Sequence, residues 1–380
     1  MTTEQQSIDK LSIETIRFLS ADGVQKAKSG HPGMPMGMAP AAYLLWTKIM
    51  RHNPANPKWL NRDRFVLSAG HGSMLIYSML HLCGYDMSLD DLKNFRQLGS
   101  KTPGHPEYEP ELGVEVTTGP LGQGISNAVG MAIAEKYLEG YFNKDGSDII
   151  DYKIYVIAGD GDLEEGVSAE ASSLAGHLGL DNLIVIYDDN HISIDGDTNL
   201  SFTEDVAMRY KAYGWNVIAV DGDGTDLAAI EKAIKKAKRY KGKPSIIKLR
   251  SHIAYGSPNM QDTAAAHGSP LGEEEINLTK QKFGWDGEKT FYIPEEVAEH
   301  MGQIRQAGIK AEKSWQRKFN KYAKQFPELA QQFANAAEGK LGVDLDELLP
   351  TFATDKAIAT RKASGTVLST VMPHMPLILG

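Results

Sequence analysis

Between residues 152 and 251 four short β-branched runs, 154–158, 183–187, 216–220 and 245–249, alternate with segments of helical spacing. That rhythm constrains the fold more than any other feature, because successive parallel strands must be joined by crossovers, and a helix is the usual crossover. The intervening segments, 165–178, 204–213 and 226–240, read as those helices. In the last of them Leu227, Ile230, Ala233, Ile234 and Ala237 recur at helical spacing. The expected architecture is α/β, a doubly wound, mostly parallel sheet flanked by helices. Upstream, 7–28 and 125–142 read as further helices, the second with Ile125, Val129, Ile133 and Tyr137 at every fourth position. Between them lie Gly/Pro-rich stretches, 29–40, 68–73, 101–110 and 117–124, which read as loops richer in special residues than simple connectors need.

Composition excludes several functions. The formal charge is −9 and the lysines are dispersed, which argues against a general role on nucleic acid or an anionic membrane surface and leaves room only for a local basic pocket. A single cysteine, Cys83, excludes intramolecular disulfides and cysteine-rich zinc sites and points to a reducing compartment, by default the cytoplasm. The polar, acidic residues 1–10 lack the pattern of a signal peptide. No apolar run approaches the roughly 20 residues of a membrane helix, so no membrane association is expected. From residue 294 to 338 the chain becomes helical, polar and lysine-rich, with Trp315, Phe319 and Tyr322 as its apolar part, and 339–350 reads as a linker. The expected division is a large domain over 1–320, a helical linker over 321–352, and the start of a second domain over 353–380. In that last part 351–361 is expected to be helical and 377–379 to begin a strand.

Three patterns carry chemistry. The first is Gly159-Asp160-Gly161, directly after an expected strand, followed by Asp189-Asn190 at the end of the next, with thirty positions between Asp160 and Asn190. Ligands of such sheets bind beyond the carboxyl ends of the strands, so both side chains would face one crevice. A carboxylate and an amide oxygen are hard ligands for Mg2+, which takes its remaining positions from phosphates and water. A diphosphate fits that gap, close to glycines that admit its approach and to free N–H groups of a helix starting near Glu165. Alone, Gly-Asp-Gly is an ordinary strand-ending turn; the Asp-Asn at this spacing separates the two readings.

The second pattern, Thr117-Thr-Gly119-Pro-Leu121-Gly-Gln-Gly124, is a glycine-rich turn before a helix. No strand is expected before it, which disfavours a dinucleotide-binding unit. The third is a set of loop histidines, His31, His71, His105 and His267, suggesting one polar pocket able to donate, accept and relay protons. Zinc is disfavoured, since neither a cysteine partner nor a histidine pair at helical spacing is present. The other histidines, His52, His81, His177, His191, His252, His300 and His374, read as ordinary.

Taken together, Ser29-Gly-His-Pro-Gly33, Arg62-Asp-Arg-Phe-Val-Leu-Ser-Ala-Gly-His71, Thr118-Gly-Pro-Leu-Gly-Gln-Gly124, Gly159-Asp-Gly161, Ile186-Tyr-Asp-Asp-Asn190 and Ala359-Thr-Arg-Lys362 resemble transketolases along essentially the whole chain. The resemblance implies a thiamine-diphosphate-binding fold, the large domain being its diphosphate-binding part. It implies Mg2+ (or Ca2+ or Mn2+) held by Asp160, Asn190 and the Ile192 carbonyl. Gly119, Gly161, Asn190, His71 and His267 would meet the cofactor, Leu121 and Ile194 its rings, and Glu165 a symmetry partner in a homodimer. His31, His105 and His267 would surround the reacting carbons, and Arg361 would bind substrate phosphate. The implied reaction transfers a two-carbon ketol unit between sugar phosphates in the pentose phosphate pathway, with the cofactor as electron sink.

Family members continue into a pyrimidine-binding domain bearing the glutamate that activates the cofactor. A chain ending at residue 380 is thus expected to be a truncated form, inactive alone. Dihydroxyacetone synthase, deoxyxylulose-phosphate synthase and a non-catalytic cofactor-binding fragment are the alternatives.

Overall fold

A computed structural model describes residues 3–379, with side chains from residue 7 onward. Residues 1, 2 and 380, the ends of the expected polar start and of the expected second domain, lie outside the described residues. The chain forms two compact units, one of Met1–Lys136 with Asp151–Lys313, the other of Tyr137–Ile150 with Ser314–Gly380. The division differs from a boundary at 320 because the excursion 137–150 is tied to the later helices. The Trp315 indole donates to the Ile149 carbonyl at 2.8 Å and the Tyr322 hydroxyl to that of Phe142 at 2.6 Å.

The first unit begins with α1 (Thr3–Ala27) and α2 (Gly33–Leu44), followed by β1 (Arg64–Leu67), α3 (Met74–Cys83) and α4 (Leu89–Lys93). Helix α5 (Gln123–Phe142) leads out of it, and β2 (Ile154–Ala158) returns. Then come α6 (Asp160–Glu164), α7 (Gly166–Leu178), β3 (Leu183–Asp189), the small ribbon β4 (Ile192–Ser193) and β5 (Gly196–Asp197), α8 (Val206–Ala212) and β6 (Asn216–Val220). Helix α9 (Leu227–Arg239), β7 (Ser245–Arg250), α10 (Ala265–Gly268), α11 (Glu273–Lys282) and the start of α12 (Glu295–Gln325) complete it. The main sheet has five parallel strands in the order β1-β2-β3-β7-β6, as the alternation of runs and helices requires. Its central strands β2 and β3 are buried at every position, which is why they read as continuous apolar runs.

Three details depart from the sequence reading. Residues 64–67 gave no strand signal, being four residues headed by an arginine; only pairing with β2, Arg64 opposite Ile154 through Leu67 opposite Ile157, makes them one. The expected loop 29–40 is helical from Gly33, and all twelve residues of α2 are buried. Pro35 falls in the first turn, where its missing N–H costs nothing. Gly33 and Gly37 are needed for close approach: an added Cβ would stand 2.5 Å from the Ala266 carbonyl oxygen at the first and 2.6 Å from that of His252 at the second. On α5 the buried side is Ile125, Ala128, Val129, Ala132 and Glu135, while Ile133 and Tyr137 are partly exposed, since an interval of four drifts off a 3.6-residue turn.

In the second unit α13 (Pro327–Ala337), α14 (Leu345–Leu348) and α15 (Thr360–Val371) follow the end of α12. The expected helix over 351–361 begins only at Thr360, and 377–379 forms no strand, following a turn at Pro376 with no neighbouring strand to pair with among the described residues.

Candidate active site

The carboxyl ends of β1, β2, β3 and β7 carry the segments singled out in the sequence. His71 follows β1, Asp160 follows β2, Asn190 follows β3, and the segment leading to His267 follows β7. The four loop histidines converge. Ring centroids lie 5.1 Å apart for His31 and His71, 5.6 Å for His31 and His267, 4.8 Å for His71 and His267, and 6.1 Å for His31 and His105. The α2 glycines make this possible, because the Gly33 carbonyl accepts from the Ala254 N–H at 2.9 Å and draws the segment bearing His267 against the turn bearing His31. Burial lowers all four imidazoles, His31 to about 4 and His71 well below its ordinary value. The Arg96 guanidinium adds to the effect on His31 and His105. At neutral pH the cluster is therefore uncharged, each ring with one donor and one acceptor nitrogen. His31 Nδ1 and the Thr118 hydroxyl are buried without a hydrogen-bond partner. His105 also borders an open cleft with Tyr77, Arg96, Lys101 and Glu107.

The turn 117–124 closes over the same place. Gly119, at φ +145°, lies against His105, and an added Cβ would stand 3.3 Å from the ring. The Leu121 side chain covers Gly161, whose added Cβ would stand 3.0 Å from it. Asp162, which the sequence reading passed over, holds this arrangement. Fully buried, it accepts from the Ser68 hydroxyl at 2.7 Å, the Gly122 N–H at 2.9 Å and the Gly159 N–H at 3.0 Å. One carboxylate thus joins the ends of β1 and β2 to the turn.

Asp160 is 5% exposed and opens the short helix α6, which the sequence reading did not expect; the helix expected to start near Glu165 is α7, which begins at Gly166 with Glu165 extended at its N-cap. One Asp160 oxygen accepts from the Tyr187 hydroxyl, and the other, Oδ2, is buried with no partner. Burial raises its pKa to about 7; the Asp188, Asp189 and Glu164 carboxylates add to the rise and the Tyr187 hydroxyl opposes it. Asn190 donates from Nδ2 to Asp188 Oδ2 at 2.9 Å and accepts at Oδ1 from the Ile192 N–H at 2.9 Å. Asp189 pairs with Lys248 at 3.1 Å and with His191 at 3.3 Å. An orphaned carboxylate oxygen, buried among the further carboxylates of Asp188, Asp189 and Glu164, is the donor chemistry a hard divalent cation requires. Among the described residues no group of three or more His, Cys, Asp or Glu could hold a metal, so a cation here would draw on amide, carbonyl and phosphate oxygens.

Leu121 and Ile194 are exposed, and Glu165 is exposed between α6 and α7. Arg361 is an exposed residue of α15 in the second unit. No helix among the described residues is long and apolar enough to cross a membrane.

Residues 8–342 match the family described as transketolase, thiamine diphosphate binding domain. The chain is 55% identical over 373 residues to a transketolase of Halalkalibacterium halodurans, covering 98% of this chain and 56% of that protein. It is 54% identical over 380 residues to transketolase 1 of Saccharomyces cerevisiae, covering 100% of this chain and 55% of that one. A crystal structure of a Pichia stipitis transketolase in complex with sedoheptulose 7-phosphate superposes with a TM-score of 0.93 at 49% identity, over 97% of this chain and 55% of that one. The chain thus spans about half the length of the relatives it matches. With its sheet, histidine cluster and Gly-Asp-Gly turn on the same scaffold, the chain belongs to the transketolase family.

Proposed function

We propose that this chain provides the diphosphate- and metal-binding half of a transketolase, which moves a two-carbon ketol unit reversibly from a ketose phosphate to an aldose phosphate in the pentose phosphate pathway. The observation that carries the reading is the unpartnered, buried Oδ2 of Asp160, which follows β2 at the same carboxyl edge of the sheet from which the histidine cluster is built. Asp160, Asn190 and the Ile192 carbonyl hold Mg2+, with Ca2+ or Mn2+ as substitutes of the same oxygen preference. Gly119, Gly161, His71 and His267 receive the diphosphate, and the exposed Leu121 and Ile194 offer apolar surface to the cofactor rings. Thiamine diphosphate, when bound, supplies the electron sink for the two-carbon unit.

His31, His105 and His267 surround the sugar. As neutral imidazoles they accept protons from its hydroxyls and return them to its carbonyl oxygens without placing net positive charge in the pocket. Arg361 takes the substrate phosphate through its planar fork. A second copy of the chain covers the face around Glu165. There Val167, Leu174 and Leu178 are 46%, 45% and 48% exposed, and Leu121 joins Pro120, Met131 and Val167 in an apolar groove. The lone, buried Cys83 supports a cytoplasmic site of action.

The deciding experiment is calorimetry of Mg2+ and thiamine diphosphate with the wild-type chain and Asp160→Ala. A loss of about 3 kcal/mol, a hundredfold or more in affinity, is expected, since the diphosphate would lose its counter-cation. Equal affinity in the variant, or wild-type binding indifferent to a chelator, would refute the assignment.

A further inference from the structure

A cation site built with asparagine has a weakness that a carboxylate site lacks. The amide has two unlike ends, and only its oxygen can ligate Mg2+; the NH2 end repels a cation. Something must decide which end faces the site. Around Asn190 the choice is fixed from both sides. The Asp188 carboxylate, 2.9 Å from Nδ2, can only accept, and the Ile192 N–H, 2.9 Å from Oδ1, can only donate. Turning the amide over would set oxygen against carboxylate and NH2 against N–H, breaking both bonds. Oδ1 retains a second lone pair for a cation.

Asp188 is itself immobilised. It is 1% exposed, and its other oxygen accepts from the hydroxyl of Ser251, which is fully buried at the end of the neighbouring strand β7. It precedes Asn190 by two residues at the end of β3, so the strand that delivers the amide also delivers its orienting partner. We infer that Asp188 is a positioning residue, whose function is to hold the Asn190 amide with its oxygen toward the cation. Partners of this kind in metal sites alter affinity by about 10–100-fold when removed.

The inference rests on the reading of Asp160 and Asn190 as cation ligands, and the test separates the two. Mg2+ is titrated calorimetrically into the full chain saturated with thiamine diphosphate, for the wild type, Asp160→Ala, Asp188→Asn and Asp188→Leu. The last two remove the same charge and keep similar volume, but only asparagine retains an oxygen able to accept from Asn190, with Ser251 turning to accept from the new amide. Asp188→Leu should weaken Mg2+ binding about tenfold or more, and Asp188→Asn should stay within about threefold of wild type. Wild-type affinity in Asp188→Leu would overturn the inference. So would equal losses in both variants, which would mean that the charge at 188 matters and not its acceptor. If Asp188→Leu melts well below the wild type, Asp188→Ala takes its place with the same two criteria. Failure of the wild type to bind Mg2+, or undiminished binding in Asp160→Ala, would overturn the underlying site. Loss in Asp160→Ala with none in the leucine or alanine variant would overturn the role of Asp188 alone.

Discussion

Replacing Asp162 with alanine takes the acceptor from three donors at once, the Ser68 hydroxyl and the Gly122 and Gly159 N–H groups. The hydroxyl is free to rotate about its C–O bond; the two backbone groups are fixed. A buried donor left without a partner costs about 1–3 kcal/mol, giving roughly 2–6 kcal/mol for the pair. Part of this is offset because burial already holds the Asp162 carboxyl above its usual range, so its removal relieves a disfavoured charge. A net local cost of about 2–3 kcal/mol remains, equivalent to about 30–100-fold in an opening equilibrium. Hydrogen exchange by mass spectrometry reads this locally, without assuming that two compact units unfold together. Peptides spanning 117–124 and 157–163 should exchange about 30–100-fold faster in Asp162→Ala, while 183–189 keeps its protection. Asp162→Asn adds a sharper expectation. Its one oxygen can serve Ser68 and Gly122, leaving its NH2 against the Gly159 N–H, so protection should fall over 157–163 and persist over 117–124. Exchange in Asp162→Ala within threefold of wild type at both segments would refute the role assigned to this carboxylate.

Other outcomes follow from the same geometry. His31 titrates near 4 against an ordinary 6.5, so it favours the folded state fully above pH 6.5 and loses that contribution as pH falls toward 4, where the unfolded chain takes up the proton first. Partial exposure discounts this to on the order of 1–2 kcal/mol. Because Asp160, raised to about 7, titrates in the opposite sense, the measure is the stability difference between wild type and His31→Gln, which should fall in favour of the variant between pH 7 and 4.5; a pH-independent difference would contradict it. In an active enzyme carrying this chain, Arg361→Ala should raise KM for phosphorylated sugars tenfold or more while barely altering it for unphosphorylated ones, and equal effects would exclude a phosphate contact. Val167→Asp combined with Leu174→Lys should shift a dimer to monomer in sedimentation at micromolar concentration, and an unchanged distribution would move the self-association surface elsewhere.

The sheet was legible because its strands and crossovers alternate in a pattern that one fold class satisfies, and the histidines were legible because each stands in a Gly/Pro-rich segment. What stayed hidden depended on distant partners. β1 is a strand only beside β2, and α2 is a helix whose glycines and prolines look like a loop until the segments carrying His252 and Ala266 are brought against it. Asp162 was masked by its neighbour: Gly-Asp-Gly drew the reading to Asp160, although the next aspartate sits where a helix N-terminus would favour a carboxylate. Tyr187 and Asp188 were read as part of a motif with no task of their own, since nothing in spacing says that one would reach Asp160 and the other the Asn190 amide.

Helix α2 has a consequence for how the protein is made. All twelve of its residues are buried, and it packs against α1, α3, α9 and α10. The last of these begins at Ala265, 221 residues after α2 ends at Leu44 (265 − 44). At about 5–20 residues per second, a ribosome needs roughly 10–45 s to cover that distance. Throughout that interval a stretch containing three methionines, Tyr43 and Leu44 can pack on α1 and α3 but lacks the α10 surface that completes its enclosure. The nascent chain therefore carries an early demand for chaperone protection. Substitutions at Gly33 that hinder the late docking of α10, or at Gly37 that hinder the segment carrying His252, should show first as aggregation during synthesis at elevated temperature, before any defect in the finished site becomes measurable.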